Sequence, residues 1–139
     1  MATIHKEIFV HAPPEHVWAA IRDVSAVHTR LAQEFVVSTR LEGDSRLVTF
    51  ANGAIVRERI VAIDEERRRL AYSVTDWDTT HHNASFQVFP EGEGDARIVW
   101  IADLLPNDLA AVVDHLMQEG TTAIMRTLEA TSPRKATVP

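Results

Sequence analysis

Glu58, Tyr72 and His82 are the residues of this chain whose types and spacing could do proton chemistry. A carboxylate, a phenol and an imidazole can each hold or move a proton once burial and neighbours have tuned them. Residues 55–63 alternate as a strand, and Val56, Glu58, Ile60 and Ala62 share the more apolar parity, opposite Arg57 and Arg59. Glu58 is therefore expected among apolar neighbours, where desolvation raises a carboxylate's pKa unless a cation or hydrogen bonds offset it. It serves either a pocket or a structural ion pair with a neighbouring arginine. Over residues 81–89 the apolar parity is Ala84, Phe86 and Val88, and His82 is its first member. That makes His82 either a pocket donor or a satisfied core histidine. Adjacent strand residues point to opposite faces, so His81 and His82 cannot readily clasp one metal ion, and no metal site is expected. Tyr72 shares a face with Leu70 and Val74, and a buried hydroxyl there needs a partner. The three groups form an acid/base set only if the fold brings them together.

Other chemistries lack their residues. There is no cysteine, which removes disulfides, thiolate metal sites and thiol nucleophiles. The five glycines are too scattered for a phosphate loop or a dinucleotide fingerprint, and no nucleophile elbow is present, so no cofactor is expected. A net charge of −6 and a pI near 5.6 argue against nucleic acid or an anionic membrane as partner. The one basic run, Arg67-Arg68-Arg69, follows Asp64-Glu65-Glu66 and reads as an internally neutralised turn. No run reaches membrane-spanning length, and the first residues carry no signal core, so a cytoplasmic protein is expected.

The elements that must position these groups follow from periodicity. The strongest is an amphipathic helix over residues 107–129, whose face carries Leu109, Val112, Val113, Leu116, Met117, Gly120, Ile124 and Leu128. Pro106 ends what precedes it, Asn107 is placed to cap it, and Asp108 suits its positive end. Such a helix is roughly 35 Å long, enough to cross a small domain. Gly120 in mid-helix costs about 1 kcal/mol against alanine, so something there wants close approach or empty space. Residues 4–11 read as a strand, residues 14–22 as a helix opened by Pro14, and a second short helix follows Ser25 with Val24, Val27, His28 and Leu31 on one side. Six strands come next, over residues 35–41, 46–51, 55–63, 70–75, 81–89 and 96–104. Asn52-Gly53 reads as a two-residue type I′ hairpin turn. Residues 131–139 read as a loose tail. Hairpins in series give an antiparallel sheet, and a curved sheet around one helix leaves a space between them.

Several stretches resemble the START-like, or SRPBCC, superfamily, and within it the polyketide cyclase/dehydrase group. They are Ala12-Pro13-Pro14-Glu15-His16-Val17-Trp18, then Asn52-Gly53 with Val56-Arg57-Glu58-Arg59-Ile60, then residues 64–74, and finally Val99-Trp100-Ile101 ahead of Pro106. Residues 81–89 also resemble a recurrent bacterial subgroup of that superfamily.

The resemblance implies an α+β helix-grip fold in one domain, residues 1–130, with a cavity between the concave sheet face and the long helix. It implies a small, mostly apolar ligand: lipid-like, polyketide or aromatic. Related receptors place an acidic group at the position matching Glu58. His28 would then lie where short helices close one end of the cavity, or be a rim histidine bound to a carbonyl. Trp77 would sit in the loop gating the mouth, a position that also suits a homodimer contact. Leu116, Met117 and Gly120 would face the ligand from the helix, and Phe86 would line an apolar wall on the sheet, as a ligand contact or as core. Alternation with Ile98, Ala102 and Leu104 puts Trp100 inward, whereas counting back from Pro106 by analogy puts Val99, Ile101 and Asp103 inward. Three functions remain open on this basis: ligand binding, cyclase or dehydrase chemistry with Glu58 or His82 moving a proton, and a partner-binding or stress-response module.

Overall fold

The computed structural model describes residues 2–133. Seven strands, β1 (Ala2–Val10), β2 (Val36–Glu42), β3 (Ser45–Phe50), β4 (Ile55–Asp64), β5 (Arg69–Asp76), β6 (His81–Glu91) and β7 (Asp95–Leu105), form one antiparallel sheet in the order β1-β7-β6-β5-β4-β3-β2. Every neighbour beyond the β1–β7 pair is a sequential hairpin, so the order follows from short connections. Helix α1 (Pro14–Arg22) and a π-helical turn, Val27–Leu31, follow β1, and helix α2 (Ala110–Ala130) is the last element among the described residues.

Alternation decides which face is buried. On β7, Ala96, Ile98, Trp100, Ala102 and Leu104 are all buried while their neighbours are part-exposed. Ile4, Ile8 and Val10 of β1, Leu70 and Tyr72 of β5, and Ala84, Phe86 and Val88 of β6 share that face. Val113, Met117, Gly120, Ile124 and Leu128 of α2 cover it. The helix lies closest over β1, where Lys6 Nζ pairs with Asp114 at 2.8 Å, and stands away from the middle of the sheet. A space between helix and sheet is left on the β3–β6 side.

Four local expectations need correction. The helix starts at Ala110 behind a 3₁₀ turn, Asn107–Leu109, and the Asn107 side chain makes no capping bond; Leu109 N–H donates to Pro106 O instead. Asn52-Gly53 is not a type I′ pair, because only Gly53 (φ 92°) is left-handed. The β3–β4 connection spans four residues, with the Asn52 side chain accepting from Ala54 N–H at 2.9 Å. Ser25 caps no helix; its hydroxyl donates to Asp23, and the second short helix is a single π turn. Ala62 leaves the inner parity because the register shifts between Ile60 and Ala62, a bulge that also bends β4. Past the helix, Thr131 bonds Thr127 O and His16, and Ser132 is buried. The rest of the expected tail, 134–139, lies outside the described residues. Among the described residues no helix is long and apolar enough to cross a membrane.

Candidate functional site

Arg46 on β3 and Glu58 on β4 are direct cross-strand partners, so both side chains project from the same face. Arg46 Nε donates to Glu58 Oε1 at 2.9 Å, and Nη1 donates to Val24 O at 3.4 Å. The two side chains are only 3% and 12% exposed, so each charge depends on the other for its solvation. The guanidinium carbon also stands 5.5 Å from the centroid of the Tyr72 ring.

From Tyr72 a row of aromatic rings crosses the sheet. Tyr72 stacks on Phe86 at 6.0 Å between centroids, and Phe86 on Trp100 at 4.7 Å. Trp100 Nε1–H donates to the Tyr72 hydroxyl at 3.1 Å, the partner that a buried phenol requires. Burial pushes the Tyr72 pKa well above the ordinary phenol value, and the nearby Glu58 charge pushes it further. Gly120 lies over the end of this row. A Cβ there would stand 3.1 Å from Trp100 Cη2 and Cζ3 and 3.3 Å from Phe35 Cε2, so the glycine is where the indole meets the helix.

Between the row and α2 lies a cavity of about 330 Å³, within the range that small-molecule sites occupy. Its wall is largely apolar, built from residues such as Val48, Val56, Phe86, Leu116, Met117 and Ile124. Arg46, Glu58, Tyr72, Trp77, His82, Trp100 and Gly120 also line it. Asn52 and Val112 are lining residues that reach solvent, which puts the mouth between the β3–β4 turn and the start of α2. His82 Nδ1 is buried without a hydrogen-bond partner among the described residues. Burial lowers the His82 pKa and the neighbouring His81 adds to it, so the ring is neutral near pH 7. Trp77 is half-buried against the core.

Two expected site residues lie elsewhere. His28 is outside the cavity wall, with Nδ1 3.0 Å from Thr39 Oγ1, because the π turn directs Val27 and Leu31 to the cavity instead. Asp103 is on the convex face and accepts from Thr3 Oγ1 at 2.6 Å, so β7 follows simple alternation with Trp100 inward. Of the two charged lining residues, Arg46 is the one that the sequence analysis does not single out. Its shared parity with Val48 and Phe50 was the available signal. Among the described residues no group of three or more histidines and carboxylates is arranged to hold a metal ion.

A seven-stranded antiparallel sheet curved around one long C-terminal helix is the α+β helix-grip arrangement of START-like proteins. The chain belongs to the polyketide cyclase/dehydrase and lipid transport family, whose model matches residues 1–131. Its fold is similar to that of a START superfamily protein from Mycobacterium smegmatis, at a TM-score of 0.73 and 13% identity, covering 96% of this chain and 98% of that one. A protein from Thermobifida fusca solved in solution is 28% identical, with a TM-score of 0.73 and coverage of 94% and 91%. The di-domain ARO/CYC protein BexL of the BE-7585A biosynthetic pathway matches at a TM-score of 0.79 and 16% identity, over 93% of this chain and 47% of its own. No curated protein matches the chain in sequence.

Proposed function

We propose that the protein binds a small, mostly apolar molecule in the cavity between α2 and the sheet. The observation that carries this reading is a mostly apolar hollow of about 330 Å³ with a buried ion pair in its wall. A space of that size under a long helix leaves lining side chains without contacts, so an apolar occupant gains burial there with no need to unpack the core. The few polar groups, Arg46, Glu58, Tyr72 and His82, then fix its orientation. Native mass spectrometry of the purified protein, with thermal shifts against an apolar library, tests it. A bound molecule or a stabilising class is expected; a bare protein that no compound stabilises would overturn the reading.

Cyclase or dehydrase chemistry is the second reading, favoured by one observation. His82 lines the wall, and burial lowers its pKa, so its ring is the neutral form that can accept a proton from a substrate. Glu58, tied to Arg46, stays an acceptor in this scheme, and the cavity wall folds the reacting chain. His82→Gln should then abolish turnover of a demonstrated substrate while its binding persists. Full activity in that variant would remove His82 from the mechanism.

A further inference from the structure

The Arg46–Glu58 pair does more than anchor a wall, because its hydrogen-bonding capacity is only partly used. The mutual bond and the bond to Val24 occupy Nε and Nη1 of Arg46 and Oε1 of Glu58. Nη2 of Arg46 and Oε2 of Glu58 make no hydrogen bond among the described residues, and both side chains line the cavity. An occupant thus meets a donor beside an acceptor on a pair whose net charge is zero. Among the described residues no other lining residue carries a charge: His82 is neutral, and the Tyr72 phenol keeps its proton.

Resting on the binding reading above, we propose that the ligand's polar end is a neutral group with an acceptor next to a donor. A carboxamide, a lactam or a carbonyl beside a hydroxyl has that chemistry. We infer also that the site discriminates against a carboxylate of the same shape. A buried arginine alone would suggest an anion site, but Glu58 already neutralises this one. A carboxylate entering here would desolvate its charge beside another carboxylate, with no unmatched cation to receive it. An amide in the same place accepts from Nη2 and donates to Oε2, so no buried polar atom of ligand or protein goes unpaired. Specificity then comes from the repulsive element as much as from the attractive one.

Two isosteric pairs test this: naphthamide against naphthoate, and dodecanamide against dodecanoate, by equilibrium titration near neutral pH. In the unaltered protein the amide of at least one pair should bind about tenfold or more tighter than its acid, in line with the cost of opposing like charges. Glu58→Gln leaves Arg46 unneutralised and should shift the preference toward the carboxylate by a similar factor. Acid and amide binding equally well, or the acid binding better in the unaltered protein, would overturn the inference and leave the binding reading standing. So would a Glu58→Gln protein whose preference does not move. If no member of either pair binds and native spectra show a bare chain, both readings fall.

Discussion

Arg46 and Glu58 face each other across adjacent strands with Nε and Oε1 2.9 Å apart, buried in the cavity wall so that each charge has the other as its main solvent. Removing one partner leaves the other buried and uncompensated, which costs about 3 kcal/mol or more. Arg46→Met should therefore lower the urea midpoint strongly, while Arg46→Met with Glu58→Leu should recover most of the loss. If the two substitutions prove additive, the pair is not the unit described.

Gly120 sits where a Cβ would press on Trp100 Cη2 and Cζ3 at 3.1 Å. Alanine gains about 1 kcal/mol of helix propensity there, but overpacking a fitted contact costs roughly 1–3 kcal/mol. Gly120→Ala should come out neutral to modestly destabilised. Its indole must give way by a few tenths of an ångström, toward Phe86 or the cavity. Trp100 fluorescence should shift, and affinity for any cavity ligand should drop. An unchanged spectrum together with a gain of the full propensity term would show that the helix yields instead of the ring.

The sheet order, the strand faces and the long helix were legible because apolar residues recur at two- and three-to-four-residue spacing, as on β7 and α2. The ion pair was legible only as one of two readings of Glu58, with its arginine unidentified. Had Asn52-Gly53 formed a two-residue turn, Arg46 would stand across from Arg59; instead Phe50 N–H donates to Ala54 O, the hairpin closes around residues 51–53, and that odd count sets Arg46 across from Glu58. That step depends on Asn52 turning the chain through its side chain, with its own φ not left-handed, which residue identity alone does not decide. His28 was misplaced for a similar reason: a π turn rotates side chains differently from the α-helix that Val24, Val27, His28 and Leu31 suggest.

His82 gives the site a pH signature. Its folded-state pKa lies below the ordinary value, first through burial and then through His81. The unfolded chain takes up that proton at about pH 6.5, the folded one only lower. The stability tied to the neutral ring is present above about pH 6.5 and is lost as the pH falls through the folded value. Urea melts below that pH should show a steeper decline in the unaltered protein than in His82→Gln. Arginine-paired carboxylates such as Asp23, whose pKa is lowered by Arg30, act at still lower pH and are common to both proteins. Parallel profiles would place His82 in contact with solvent.

Tyr72 is the only tyrosine in the chain, so the near-ultraviolet tyrosinate band reports on it alone. Burial and the Glu58 charge hold its pKa above the ordinary value, whereas the unfolded chain ionises at roughly pH 10. The stability linked to the protonated phenol is therefore intact below about pH 10 and drains away as the pH climbs toward the folded value. The band should be silent at roughly pH 11 in the native protein and rise together with unfolding. Tyr72→Phe should flatten the alkaline slope, yet it strands the Trp100 Nε1–H that donates to the hydroxyl at 3.1 Å. That unpaired donor costs about 1–3 kcal/mol at neutral pH. A tyrosinate band titrating near its ordinary pH in the folded state would mean that water reaches the phenol and that Tyr72 is not held in the buried row.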